Sequence, residues 1–155
     1  MILKINFSVN EMPKIIIITG KQGSGKTSIL ENKIDNETNG VITICENRKL
    51  KKYYFKLINT NITLPCCYYE DGMKFNFHNF DKVCEYLDKL DSKKIMIDEI
   101  GWLELNKKGF YKALKKILKE KNFENLYLSM RYDIHERLIE KFKIENFTLI
   151  DLSKN

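Results

Sequence analysis

The sequence predicts an α/β fold, a three-layer sandwich in which a mostly parallel sheet carries helices on both faces. Three observations predict it. Two runs, KIIIIT at 14–19 and KIMID at 94–98, are apolar from end to end and rich in β-branched residues, as strands covered on both sides are. Strand-type stretches alternate with helix-type stretches, the order that winds a parallel sheet. The polar residues of chemical interest follow the ends of these runs, where open α/β sheets bind their ligands.

The first ten residues offer an edge strand, and Lys14 to Thr19 is the first central strand. A glycine-rich stretch leads into a short helix from Thr27 to Ile34, because Ile29, Leu30 and Ile34 share one helical face. Asn39-Gly40 reads as a turn. From 41 to 77 the pieces VITIC, YYFKLI, CCYY and MKFNF read as short strands and turns laid around the sheet edge. Phe80, Val83, Cys84, Leu87 and Leu90 recur at helical spacing, which predicts a helix over 79–90 with Cys84 in its buried stripe. KIMID is the second apolar strand. Phe110, Tyr111, Leu114, Ile117 and Leu118 predict a helix over 106–120 with lysines on its outer face. A third strand spans 126–129, a helix opened by Asp133 with Glu136 three residues on spans 133–142, and a last strand spans 147–152.

At 155 residues with 43% apolar content, the chain suits one domain spanning 1–155 with one sizeable core. Its net charge of +6 favours anionic partners. Nucleic acid is one such partner, but a solvated lysine-rich surface and a nucleotide site account for the charge more simply. The cysteines Cys45, Cys66, Cys67 and Cys84 show no CxxC spacing, and the neighbouring pair Cys66-Cys67 cannot bridge without strain, so all read as reduced thiols. Zinc held by Cys45, Cys66, Cys67 and His78 is disfavoured by their irregular spacing. His135 reads as structural. No stretch is apolar enough for a membrane span and no leader pattern opens the chain, so a cytoplasmic location is expected.

Residues 20–27 read GKQGSGKT, a complete match to G-x-x-x-x-G-K-S/T at Gly20, Gly25, Lys26 and Thr27. The match follows a strand and opens a helix, which is the context the chemistry needs, since triphosphate oxygens require several converging backbone N–H donors. The expected cradle is Gly20, Lys21, Gln22, Gly23, Ser24, Gly25, Lys26, Thr27 and Ser28. Gly20, Gly23 and Gly25 can take positive φ and carry no Cβ to obstruct the phosphates. Lys26 reaches the β- and γ-phosphates, and Thr27 offers its hydroxyl to Mg²⁺.

KIMID ends in Asp98-Glu99. An apolar strand ending in aspartate supplies the second metal ligand, so Thr27 and Asp98 are the expected Mg²⁺ residues, and Glu99 is placed to polarise a water aimed at the γ-phosphate. On its own, Asp-Glu after a strand is as often a capping turn; with the phosphate loop it reads as a catalytic pair.

With these motifs in place, DEIGWLEL at 98–105, followed by Lys108-Gly109-Phe110, resembles the small P-loop nucleoside-triphosphatase family, which includes thermophile enzymes and a human cancer-related member. The resemblance runs from about Pro13 to the C-terminus, including LYLSMR, and is loose over 41–77. It implies a monomeric or weakly associating Mg²⁺-dependent enzyme that hydrolyses NTPs to NDP and phosphate, with Gly25, Lys26, Thr27, Asp98 and Glu99 in the roles given above. Glu104 matches the family's second acidic position and reads equally as a helix-start carboxylate. Arg131, after LYLSM, either faces the γ-phosphate and stabilises developing charge or forms a surface salt bridge. Ser129 is a weaker candidate for sensing the γ-phosphate. Trp102 either anchors its loop or stacks on a base, the anchor being favoured. The stretch ENRKLKKYYFKL has lysines where the family pattern has an arginine-containing hairpin.

Two other functions share these motifs. A nucleotide or small-molecule kinase would close an arginine-rich lid, for which Arg48, Arg131 and Arg137 leave little material. A nucleotide-dependent RNA- or protein-binding module would use the basic helix after Asn106 and hydrolysis as a timer.

Overall fold

The computed structural model describes residues 12–154; the edge strand expected over the first ten residues lies outside them. Eight strands form one sheet. In chain order they are β1 (Lys14–Gly20), β2 (Thr38–Asn47), β3 (Lys52–Leu57), β4 (Thr63–Tyr69), β5 (Met73–Phe75), β6 (Lys94–Ile100), β7 (Asn125–Arg131) and β8 (Phe147–Asp151). In space the order is β5-β4-β3-β2-β6-β7-β1-β8. From β2 to β8 every neighbouring pair is parallel, whereas β2, β3, β4 and β5 form an antiparallel meander at one side. The sheet is mostly parallel, as expected. The short β-prone pieces at 41–77 are this meander.

The helices are α1 (Lys26–Asn32), α2 (Phe77–Asp88), α3 (Trp102–Leu105), α4 (Tyr111–Glu120) and α5 (His135–Lys141), and a 3-10 turn, Leu152–Lys154, follows β8. Leu30 of α1 packs with Ile18, Ile42, Ile58 and Met96 on one face of the sheet. On the other face Phe80, Val83 and Leu87 of α2, Ala113, Leu114 and Ile117 of α4, and Leu138 of α5 cover Ile15, Ile17, Val41, Ile97 and Leu128. Burying each such side chain contributes about 1.5–3 kcal/mol, so the β-branched runs of β1 and β6 are stable only between two helical layers. The meander is tied to the larger layer by aromatic contacts. Phe55 of β3 meets Phe80 edge-on at 4.8 Å and Phe110 at 5.5 Å, with Phe80 and Phe110 at 5.1 Å. No helix of the described residues is long and apolar enough to cross a membrane.

Four expectations need correction. Asn39-Gly40 is no turn but lies inside β2, beside β6; a Cβ on Gly40 would lie 1.9 Å from the Met96 carbonyl oxygen, so the glycine is there for close strand approach. The helix expected over 106–120 starts at Tyr111, because 106–110 turns through Lys107 and Gly109 at positive φ after the separate one-turn α3. The helix expected from Asp133 starts at His135, and no side chain caps it, since the Asp133 carboxylate is engaged by Arg131. The first helix stops at Asn32, and Ile34 packs on its cluster from the turn beyond.

Candidate phosphate and metal site

β1 runs into the stretch from Gly20 to Gly25, and α1 begins at Lys26. Gly23 and Gly25 sit at φ 79° and 95°, where a β-carbon is disfavoured, and space beside both is open. Gly20 does not use positive φ; its requirement is steric, because a Cβ there would lie 2.5 Å from Ser24 Oγ and 2.9 Å from Leu152 Cβ. The Ser24 hydroxyl is buried with no hydrogen-bond partner among the described residues. Such an atom costs about 1–3 kcal/mol unless something arrives to bond it. Lys26 folds across the loop and donates from Nζ to the Gly20 carbonyl at 2.7 Å and the Lys21 carbonyl at 3.3 Å. Lys21, Gln22 and Ser28 are exposed at the loop surface.

β7 lies between β1 and β6, so the loop and the acidic strand end are separated by one strand that comes later in the chain than both. Across it Thr27 Oγ1 donates to Asp98 Oδ2 at 2.9 Å. Asp98 is completely buried, and it also accepts from the Thr43 N–H at 3.1 Å, the Glu99 N–H at 3.0 Å and the Ser129 hydroxyl. Burial pushes its carboxyl above the ordinary range, and these four hydrogen bonds pull the other way. Ser129 Oγ in turn accepts the Glu99 N–H at 2.8 Å. The hydroxyl that could have sensed a phosphate is thus turned inward, where it fixes both acidic residues.

The pairing of β6 with β7 is regular from Lys94 to Ile97 and resumes only at Ile100, so Asp98 and Glu99 form a bulge. Within it Glu99 takes φ 61°, which turns its side chain out of the pleat and leaves it exposed at the strand end. Crowding by the atoms around it raises its carboxyl pKa first, the Asp98 charge raises it further, and the charges of Lys26 and Arg131 oppose both. Asp98 and Glu99 therefore face different surroundings, one a hydrogen-bonded interior and the other the open side of the loop.

The remaining candidates divide. Glu104 is 2% exposed, and its carboxylate accepts the Gly101 N–H at 2.9 Å and the Phe110 N–H at 3.0 Å. It joins the start of α3 to the approach of α4, and burial pushes its pKa up to about 7. Arg131 forms a surface salt bridge: Nε donates to Asp133 Oδ1 at 2.9 Å and Nη2 to Oδ2 at 3.4 Å, and the pair is half exposed. Trp102 is exposed, but Arg137 of α5 lies over its ring at 5.6 Å, so it anchors α3 to α5. Cys84 packs against the core, where burial pushes its thiol up to about 11. No group of three or more His, Cys, Asp or Glu side chains that could hold a metal ion occurs among the described residues.

Sequence reasoning missed Tyr53. Burial first, then the neighbouring Cys45, Cys67 and Glu99, raise the pKa of its hydroxyl, and the nearby Gln22 side chain opposes them. The meander thus reaches the phosphate loop. A signal existed, since Tyr53, Phe55 and Leu57 alternate along β3 on the core side, which places Tyr53 at the end of the core nearest the loop.

No family model matches the chain, and no curated protein matches it. Among solved structures, the crystal structure of THEP1 from the hyperthermophile Aquifex aeolicus is similar with a TM-score of 0.68 at 21% identity, covering 90% of each chain. The solution structure of a human cancer-related nucleoside triphosphatase is similar with a TM-score of 0.68 at 14% identity, covering 89% of this chain and 88% of that one. The fold is shared with these two structures, an α/β sandwich with a mostly parallel sheet.

Proposed function

We propose that the protein hydrolyses nucleoside triphosphates to the diphosphate and phosphate with Mg²⁺, without a second acceptor. What supports the reading most is a single juxtaposition: the Thr27 hydroxyl and Asp98 carboxylate are bonded at 2.9 Å, and the next residue, Glu99, is turned toward the loop side by its left-handed backbone. One of the two neighbours above is named as a nucleoside triphosphatase, and the fold of both is shared.

Hard oxygen donors, one hydroxyl and one carboxylate, suit Mg²⁺, which keeps most of its waters and takes few protein ligands. A buried carboxylate with no cation among its four partners also gains from a nearby positive charge. Thr27 and Asp98 would hold the ion, and the chemistry it supplies when bound is neutralisation of charge on the β- and γ-phosphate oxygens. Gly23 and Gly25 shape the loop so that its N–H groups bind phosphate, and the Ser24 hydroxyl is a free donor within it. Lys26 exchanges the carbonyls of Gly20 and Lys21 for phosphate oxygens, which bear full charge and bind it more strongly. Glu99 orients a water and takes its proton; its raised pKa makes it a better base than an ordinary carboxylate. Arg131 lies close enough for its charge to act on Glu99, and on release from Asp133 it can face the leaving phosphate.

Phosphate release from NTP and Mg²⁺ with no acceptor, measured across all bases with and without RNA, tests the reading. Lys26→Ala is expected to abolish release, and Glu99→Gln to bind nucleotide while turning over at least about a hundredfold more slowly. Wild-type turnover in Glu99→Gln would remove the base assignment. Release that depended on an added metabolite would replace hydrolysis by a kinase reaction, and release that depended on RNA would favour a binding module.

A further inference from the structure

In a regular strand adjacent side chains point to opposite faces, so neighbouring cysteines are kept apart. β4 breaks that rule. Tyr53 pairs with Cys67 but Tyr54 pairs with Pro65, which leaves Cys66 as an extra residue in a bulge. Both thiols then come to the same side: Cys66 is buried in the main core, Cys67 packs against it half-buried, and Cys66 Sγ donates to Cys67 Sγ at 3.6 Å. Cys66 is the inner thiol and Cys67 the one that solvent reaches.

We propose that Cys66 and Cys67 form a redox modification site, a dithiol that a low-molecular-weight disulfide converts reversibly into a disulfide between neighbouring residues. In the first step the Cys67 thiolate attacks one sulfur of the reagent RS–SR, forming a mixed disulfide and releasing RS⁻, which takes up a proton as RSH. In the second, Cys66 gives up its proton and attacks the Cys67 sulfur, and the second RS⁻ leaves and is protonated. The two protein thiols are oxidised, RS–SR is reduced to two RSH, and no other reactant enters. The S–H of Cys66, donated to Cys67, already favours the thiolate on the outer sulfur. Closure needs the sulfurs to approach from 3.6 Å to about 2.05 Å. The α-carbons of adjacent residues are about 3.8 Å apart, below the roughly 4.4–6.8 Å that disulfides prefer, so the product is strained and readily reduced.

The bulge is linked to the phosphate loop. Cys67 is the cross-strand partner of Tyr53, whose hydroxyl lies near the Gln22 side chain, and the Cys66 carbonyl accepts the N–H of Asn76, the N-cap of α2, at 2.9 Å. Ring closure twists the bulge and shifts Tyr53, so oxidation lowers turnover; this consequence rests on the hydrolase reading.

The test treats the reduced protein with glutathione disulfide and follows intact mass, peptide mapping, nucleotide affinity and phosphate release. The expected result is loss of two hydrogens with no glutathione retained, a bond mapped to Cys66 and Cys67, and a severalfold drop in turnover that dithiothreitol reverses. Cys66→Ser, or Cys66→Ala should the serine variant fold poorly, is expected to stop at glutathione on Cys67, and Cys67→Ser to resist modification. Glutathione retained by the wild type, a bond mapped to Cys45 or Cys84, or a Cys66–Cys67 bond that changes neither affinity nor turnover would each overturn the proposal. A reduced protein that released no phosphate would remove the hydrolase reading, while mass, map and nucleotide affinity would still decide the dithiol.

Discussion

Replacing Ser129 by alanine takes one hydroxyl from the centre of the site and tests whether the acidic pair is held as described. Ser129 is fully buried; it donates to Asp98 Oδ1 and accepts the Glu99 N–H at 2.8 Å. Asp98 keeps three donors, Thr27, the Thr43 N–H and the Glu99 N–H, and the Glu99 N–H keeps Asp98 Oδ1 at 3.0 Å. No group is left entirely unpaired, so the expected loss is that of one hydrogen bond to a charged acceptor, about 1.5–3 kcal/mol. Urea unfolding should show it as a lower midpoint with an unchanged slope. Because Ser129 fixes the bulge that aims Glu99 and touches no part of the loop, kcat should fall while nucleotide affinity stays near wild type. A Ser129→Ala protein within about 0.5 kcal/mol of wild-type stability and with unchanged kcat would refute the argument, since that is what an idle surface hydroxyl would give.

Two further substitutions probe the frame around the site. Glu104 has a folded pKa of about 7 against an ordinary 4.5, so the native state binds its proton more tightly than the unfolded chain. The stability this group contributes is complete below the unfolded value and is lost as pH rises through the folded one, by roughly 3 kcal/mol in all. Glu104→Gln lacks that slope, so its stability relative to wild type should rise between pH 5 and pH 7.5 in paired denaturation curves, and a constant difference would show that the carboxyl is not desolvated. Gly40→Ala would put a Cβ 1.9 Å from the Met96 carbonyl at φ 129°, and should cost on the order of 3 kcal/mol or more by parting β2 from β6; a tolerated alanine, seen as an unshifted melting curve, would contradict the strand register.

The central strands were legible in the sequence because their signal is local. KIIIIT and KIMID are apolar without a break, and only a strand buried on both faces makes use of such a run. Their order in space was not legible. The strand that separates them, β7, lies more than twenty residues beyond KIMID, and nothing local to LYLSMR says that it inserts there. Asn39-Gly40 failed for a related reason. The dipeptide favours positive φ, which a turn and a close strand contact can both use, and only the presence of Met96 across the gap selects the second. Asp133 likewise had two possible partners, the N-terminus of α5 and Arg131, and the charged one won.

Within the site the residue types were legible and their orientations were not. Eight residues other than glycine have positive φ among those described, and seven, Lys51, Asn59, Asp71, Lys107, Lys121, Lys143 and Asn146, lie in turns, bends or caps outside regular strands, where that conformation is ordinary. Glu99 alone has it inside a strand. A left-handed L-residue costs about 1–2 kcal/mol, and the repulsion between Glu99 and Asp98 adds to it, so the fold would gain by having glycine there. Glycine's greater freedom in the unfolded chain takes back about 0.5–1 kcal/mol. Glu99→Gly is therefore expected to unfold at or slightly above the wild-type denaturant concentration while phosphate release is lost. A glycine variant less stable than wild type by more than about 2 kcal/mol would mean that Glu99 supports the strand end, and its left-handed backbone would then argue nothing about catalysis.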